Sequence, residues 1–70
     1  MMPLTVIKIG EENSIKKIGG RDETRKFLEN LGFIPGSHIT IITKNSGNVI
    51  VSIKESRIAI SREMAAKIMV

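Results

Sequence analysis

Apolar and polar residues alternate along most of this chain, and at one stretch the spacing changes to that of a helix. Thr24, Phe27, Leu28 and Leu31 recur at helical spacing, with Arg25, Lys26, Glu29 and Asn30 on the opposite side. The pattern predicts an amphipathic helix with Asp22 as its N-cap and Glu23 complementing the positive end of the helix dipole. Gly32 falls at the C′ position, where a left-handed backbone suits glycine. Phe33 and Leu28 then form the hydrophobic pair of a Schellman stop. Pro35 and Gly36 fit the two central positions of a type II turn, one fixing φ and the other tolerating positive φ.

Elsewhere the period is two. Ser37–Thr43 is predicted as a strand with Ile39 and Ile41 on one face and His38, Thr40 and Ile42 on the other. Lys44-Asn45-Ser46-Gly47-Asn48 is a hairpin loop leading to a strand over Val49–Ile53, with Val49, Val51 and Ile53 inward. A tighter turn over Lys54-Glu55-Ser56 leads to Arg57–Ile60, with Ile58 and Ile60 inward. Ser61 caps a short final helix whose buried face is Met64, Ala65 and Ile68. Met69-Val70 is placed to pair with the sheet. Upstream, Ser14–Ile18 reads as a strand with Ile15 inward and Lys16 and Lys17 near the surface, ended by Gly19-Gly20. Gly10-Glu11-Glu12-Asn13 reads as a turn. Leu4–Ile9 fits either an extended segment or one helical turn followed by one, and its β-branched residues favour the strand. Short strands with close turns, one inserted α-helix and a short C-terminal helix predict a mainly β fold, a small SH3-like barrel, forming a single domain over residues 1–70.

At 70 residues the core must be compact. There is no cysteine, which excludes disulfides and thiolate metal sites and suits the cytoplasm. No apolar run reaches the roughly 20 residues of a membrane span, and Met1–Thr5 lacks the features of a signal peptide. The chain is therefore expected to be soluble and cytoplasmic, without inserting into the membrane. Eleven basic residues against seven acidic ones give a net charge of +4, which serves solubility and is compatible with an anionic partner. Two Phe and no Tyr or Trp disfavour single-strand nucleic-acid binding and proline-peptide grooves, both of which need aromatic walls.

The ordered set Pro3-Leu4, Lys8-Ile9-Gly10-Glu11, Leu31-Gly32-Phe33-Ile34-Pro35-Gly36 and Ile58–Val70 resembles the FeoA family of bacterial ferrous-iron uptake over essentially the whole chain. The resemblance implies an SH3-like barrel that works with FeoB, the membrane permease with a cytoplasmic GTP-binding domain. The chain departs from the usual family pattern at two loop tips. Lys44–Asn48 is shorter than in many relatives, and Glu55-Ser56 stands where a glycine and often an aromatic residue are expected.

Candidate chemistry is sparse. His38 is the only histidine, and a ferrous site wants several converging nitrogen and oxygen ligands, so no metal site is assigned. Glu11-Glu12 and Asp22-Glu23 are explained by a turn and a helix start, and Met64 and Met69 by the core. Gly19-Gly20-Arg21 lacks the Lys-Ser/Thr ending of a phosphate loop, and Asp22-Glu23 put negative charge where a phosphate would sit. The serines have no base and orienter set. The chain is thus expected not to be an enzyme and to need no cofactor. The expected activity is docking on the FeoB permease and modulating its transport. Its expected contact residues are Arg25, Ile34 and Pro35, because the Pro-Gly turn would hold Ile34 rigidly at a corner. Two other readings stay open: a metal-responsive barrel like those appended to iron-dependent repressors, and a basic nucleic-acid-binding barrel built on Lys16, Lys17, Arg21, Arg25 and Lys26.

Overall fold

A computed structural model describes residues 1–70. After a 3-10 turn over Leu4–Val6 come strands β1 (Glu12–Ser14) and β2 (Lys17–Ile18), then helix α1 (Asp22–Asn30). Strands β3 (His38–Lys44), β4 (Asn48–Ile53) and β5 (Ser56–Ser61), helix α2 (Arg62–Ala65) and strand β6 (Ile68–Met69) complete the chain. The fold is mainly β, and its strands form two sheets: four strands in the order β1-β3-β4-β5, and the pair β2-β6, all antiparallel.

The expected strand over Ser14–Ile18 is in fact the passage from one sheet to the other. Glu12–Ser14 pairs with β3, whereas Lys17-Ile18 pairs with β6. At the crossing, the Ile15 N–H donates to the Ser37 carbonyl at 2.8 Å and the Lys16 N–H to the Met69 carbonyl at 2.7 Å. Successive amides thus bond in opposite directions, and the strands wrap one core without closing into a continuous barrel.

The core contains fifteen buried apolar residues and no buried polar side chain. Ile39, Ile41, Val49, Val51, Ile53 and Ile60 come from the four-stranded sheet, as their period-two spacing requires. Ile58 is only half-buried, packed at the margin of this core. At Ile42 the pairing of β3 with β4 shifts by one residue, a bulge that brings Thr43 opposite Ile50 and Lys44 opposite Val49. Lys44 then reaches across the end of the core, and its Nζ donates to the Thr5 carbonyl at 3.1 Å.

Leu4–Ile9 is not the strand that its β-branched residues favour. Leu4 and Ile7 are buried, while Val6 and Ile9 face solvent. That spacing of three belongs to a tight helical turn, closed by the Ile7 N–H on the Leu4 carbonyl. The turn is held in place by Met2, whose amide and carbonyl both bond Val70.

Helix α1 also departs from the expected burial. Only Leu28 of its residues is buried; Phe27 is 48% exposed and Leu31 is exposed as well. The helix touches the core along a narrow arc rather than a broad face. Its N-cap is Arg21, without a side-chain cap, and Asp22 is the first helical residue; the Asp22 carboxylate is taken by the Arg25 guanidinium one turn on. The helix stop is as the sequence predicts. Gly32 has φ +106°, its N–H donates to the Glu29 carbonyl, and the Phe33 N–H donates to Leu28.

The hairpin between β4 and β5 turns on two residues rather than three. Lys54 and Glu55 have φ of 47° and 65°, and Ser56 already pairs with Ile53. Ser61 caps α2, its Oγ accepting from the Met64 N–H at 3.1 Å. Ile68 is buried as expected, but from β6 rather than from the helix.

Candidate functional site

The Pro-Gly turn is built from local and long-range bonds together. The Ser37 N–H donates to the Ile34 carbonyl at 3.1 Å, closing a turn in which Gly36 has φ +94°. The Gly36 N–H then donates to the Ile15 carbonyl at 2.8 Å, and the Ile15 N–H returns to Ser37. These bonds lash the turn to the segment where the chain changes sheets, so Pro35 lies beside Lys16 and Lys17 although they are distant in sequence.

Helix α1 supplies the facing wall. With about 100° between successive residues, Arg25 and Glu29 share one flank of the helix and Phe27 and Leu31 the other, with buried Leu28 between them. The Arg25 flank closes over the turn and β2 to form an open concavity of about 350 Å³. It is lined by Lys16, Lys17, Ile18, Arg25, Glu29 and Pro35.

Of the three contact residues expected from the sequence, Arg25 and Pro35 therefore lie on one surface. Ile34 is 37% exposed at the corner of the turn and does not line the concavity. Lys16 and Lys17, grouped with Arg25 in the nucleic-acid reading, join this surface, as does Glu29, which no reading had singled out.

Electrostatically the concavity is mixed. The Arg25 guanidinium is engaged by Asp22 on an exposed surface, where such a pair contributes about 0–1 kcal/mol. Lys16 and Lys17 make no ion pair, and the Glu29 carboxylate on the opposite wall has no cation within bonding distance.

His38 lies elsewhere, on the first residue of β3. It is exposed, with Nδ1 3.7 Å from the Glu12 carboxylate of the neighbouring strand. No group of three or more His, Cys, Asp or Glu side chains converges anywhere in the chain. No helix is long and apolar enough to cross a membrane.

The FeoA domain model matches residues 2–70. A protein of Methanocaldococcus jannaschii provisionally named Fe(2+) transport protein A is 43% identical over 70 residues, covering all of this chain and 85% of that protein. The crystal structure of an iron uptake regulatory protein, FeoA, superposes with a TM-score of 0.89 at 26% identity, covering 97% of this chain and 92% of the other. FeoA of Stenotrophomonas maltophilia, a prokaryotic SH3 domain protein solved as a zinc complex, superposes with a TM-score of 0.85 at 17% identity. That alignment covers 99% of this chain and 88% of the other. With a match over nearly its full length and an SH3-like fold shared with solved members, the chain belongs to the FeoA family.

Proposed function

We propose that this chain is a cytoplasmic accessory protein of ferrous iron transport that docks, as an SH3-like interaction module, onto the cytoplasmic part of a FeoB-type permease and modulates its transport. The observation that carries this reading is the FeoA match across residues 2–70, supported by 43% identity to a protein named for Fe(2+) transport. FeoA is a family attached to transport rather than a known family of enzymes, and the one histidine here, His38, is exposed with the Glu12 carboxylate 3.7 Å away.

Arg25, Pro35 and Ile34 form the proposed contact. Arg25 and Pro35 share the concavity beside α1, and Ile34 stands exposed on the rigid turn that carries Pro35. A side chain presented by a turn tied at both ends loses little conformational entropy on binding. The basic balance of the chain favours encounter with an acidic face.

The test is the double variant Ile34→Ser with Arg25→Glu. After circular dichroism establishes an unchanged fold, binding to the permease's cytoplasmic domain and ferrous uptake in cells lacking the native protein are measured. Loss of both is the expected result. Full binding and uptake by the folded variant would remove this contact region, and failure of the unaltered protein to bind or restore uptake would remove the docking reading.

A further inference from the structure

From the charge layout of the α1 concavity, we infer that the partner segment it receives is an acidic peptide, and not a nucleic acid. The inference rests on the docking reading for the identity of the partner, and it adds the chemistry that the partner presents.

The concavity carries two kinds of charge. Lys16 and Lys17 line it as cations with no carboxylate to neutralise them, whereas Arg25 already has Asp22. Two exposed lysines that line one concavity and make no ion pair can receive carboxylates, each ammonium having three donors that rotate to meet them. The backbone beneath them is fixed. The Lys16 N–H bonds Met69, Lys17 pairs with Met69 across the small sheet, and Ile15 is bonded to the Pro-Gly turn on both its amide and its carbonyl. The cations therefore stand on a braced base rather than on a loose loop, which lowers the ordering cost of binding.

Glu29 decides between the two classes of anionic partner. It stands on the facing wall, four residues along the helix from Arg25, with no cation bound to it. A nucleic-acid strand carries a charge at every phosphate, so one lying in the concavity would set a phosphate against this carboxylate. A peptide does not face that penalty. Its carboxylates are spaced by neutral residues, and its backbone N–H groups or a single basic side chain can donate to Glu29. Exposed Pro35 gives the concavity a small apolar contact suited to an aliphatic residue of the peptide. The walls hold no aromatic ring on which a base could stack.

The test uses fluorescence anisotropy with three labelled probes: the peptide Glu-Asp-Glu-Leu-Arg-Glu-Leu, the same peptide with every acid replaced by Lys, and a single-stranded oligo-dT. The acidic peptide should bind saturably and weaken as salt is raised, the basic one should not bind, and oligo-dT should bind less tightly than the acidic peptide. Lys16→Glu with Lys17→Glu, both exposed and checked by thermal melting, should weaken the acidic peptide about tenfold or more, from two lost attractions and two new repulsions. Glu29→Gln should narrow the gap between oligo-dT and the peptide.

Unchanged peptide binding by the lysine variant, no saturable peptide binding by the unaltered protein, or tighter binding of oligo-dT each overturns the inference. A parallel binding assay with the permease's cytoplasmic domain separates the two levels. Permease binding without acidic-peptide binding removes the inference alone. Lysine-dependent peptide binding without permease binding supports the inference and removes the docking reading.

Discussion

The Phe33 N–H donates to the Leu28 carbonyl at 3.0 Å, and the two side chains it brings together are both completely buried. One backbone bond ends α1 and at the same time places the chain's buried aromatic ring in the core. Between the two residues sits Gly32 at φ +106°. The stop, the packing and the direction of the chain into the Pro-Gly turn all depend on that one conformation.

Gly32→Val is expected to destabilise the protein by about 1–3 kcal/mol. A Cβ at Gly32 would meet no atom within 4 Å, so the cost comes from the backbone conformation alone and not from crowding. Gly32→Asn should therefore cost less than Gly32→Val, because asparagine tolerates positive φ better than a β-branched residue does. Thermal melts of the two variants check the ranking, and equal losses would point to a steric cause instead.

The two phenylalanines should behave oppositely. Phe33→Ala removes a completely buried ring and is expected to cost about 3–5 kcal/mol, comparable to the whole stability of a chain this small. Phe27, 48% exposed, should tolerate alanine to within about 0.5 kcal/mol. Urea unfolding monitored by circular dichroism distinguishes them, and a large loss at Phe27 would mean that the outer flank of α1 is covered.

Helix capping separates Ser61 from Asp22. Ser61→Ala deletes the acceptor for the Met64 N–H and should cost about 1 kcal/mol. Asp22→Ala removes only first-turn charge and an exposed ion pair, for an expected loss of about 0.5 kcal/mol. A larger loss at Asp22 than at Ser61 in denaturant titrations would contradict the cap assignment.

Lys54 and Glu55 both adopt positive φ, the conformation of a two-residue hairpin turn that favours Asn-Gly. Lys54→Asn with Glu55→Gly should therefore stabilise the chain by about 0.5–1 kcal/mol, read as a raised melting temperature. A glycine expected at this turn from the family resemblance thus has a backbone reason, and this chain bears the strain of its absence.

The protein alone should bind ferrous or zinc ions only weakly. His38 has one carboxylate, Glu12, at 3.7 Å and no further ligand gathered beside it. Calorimetric titration should give no submicromolar site; a stoichiometric tight site lost in His38→Ala would make His38 a ligand.

Sequence by itself determined the features that a residue's own backbone preference or the period of its neighbours controls. Gly32, the Pro35-Gly36 turn, the inward sets Ile39/Ile41 and Val49/Val51/Ile53, and the Ser61 cap all have local causes, and all stand as read. The family was legible for the same reason, since those fixed points recur in order along the chain. Tertiary structure decided what depends on a distant partner. Helical spacing gave Phe27, Leu28 and Leu31 equal claims to burial, yet the sheet meets α1 along so narrow an arc that only Leu28 is covered. Between the two forms left open for Leu4–Ile9, the chain took the helical turn over Leu4–Val6 followed by extended backbone at Ile7, beside a Met2 bonded to Val70 at the other end of the chain. The strand read over Ser14–Ile18 broke in two because its amides bond to different sheets. That same break sets Lys16 and Lys17 beside Pro35. The candidate site is thus made by hydrogen bonds between residues far apart in sequence, which no local period encodes.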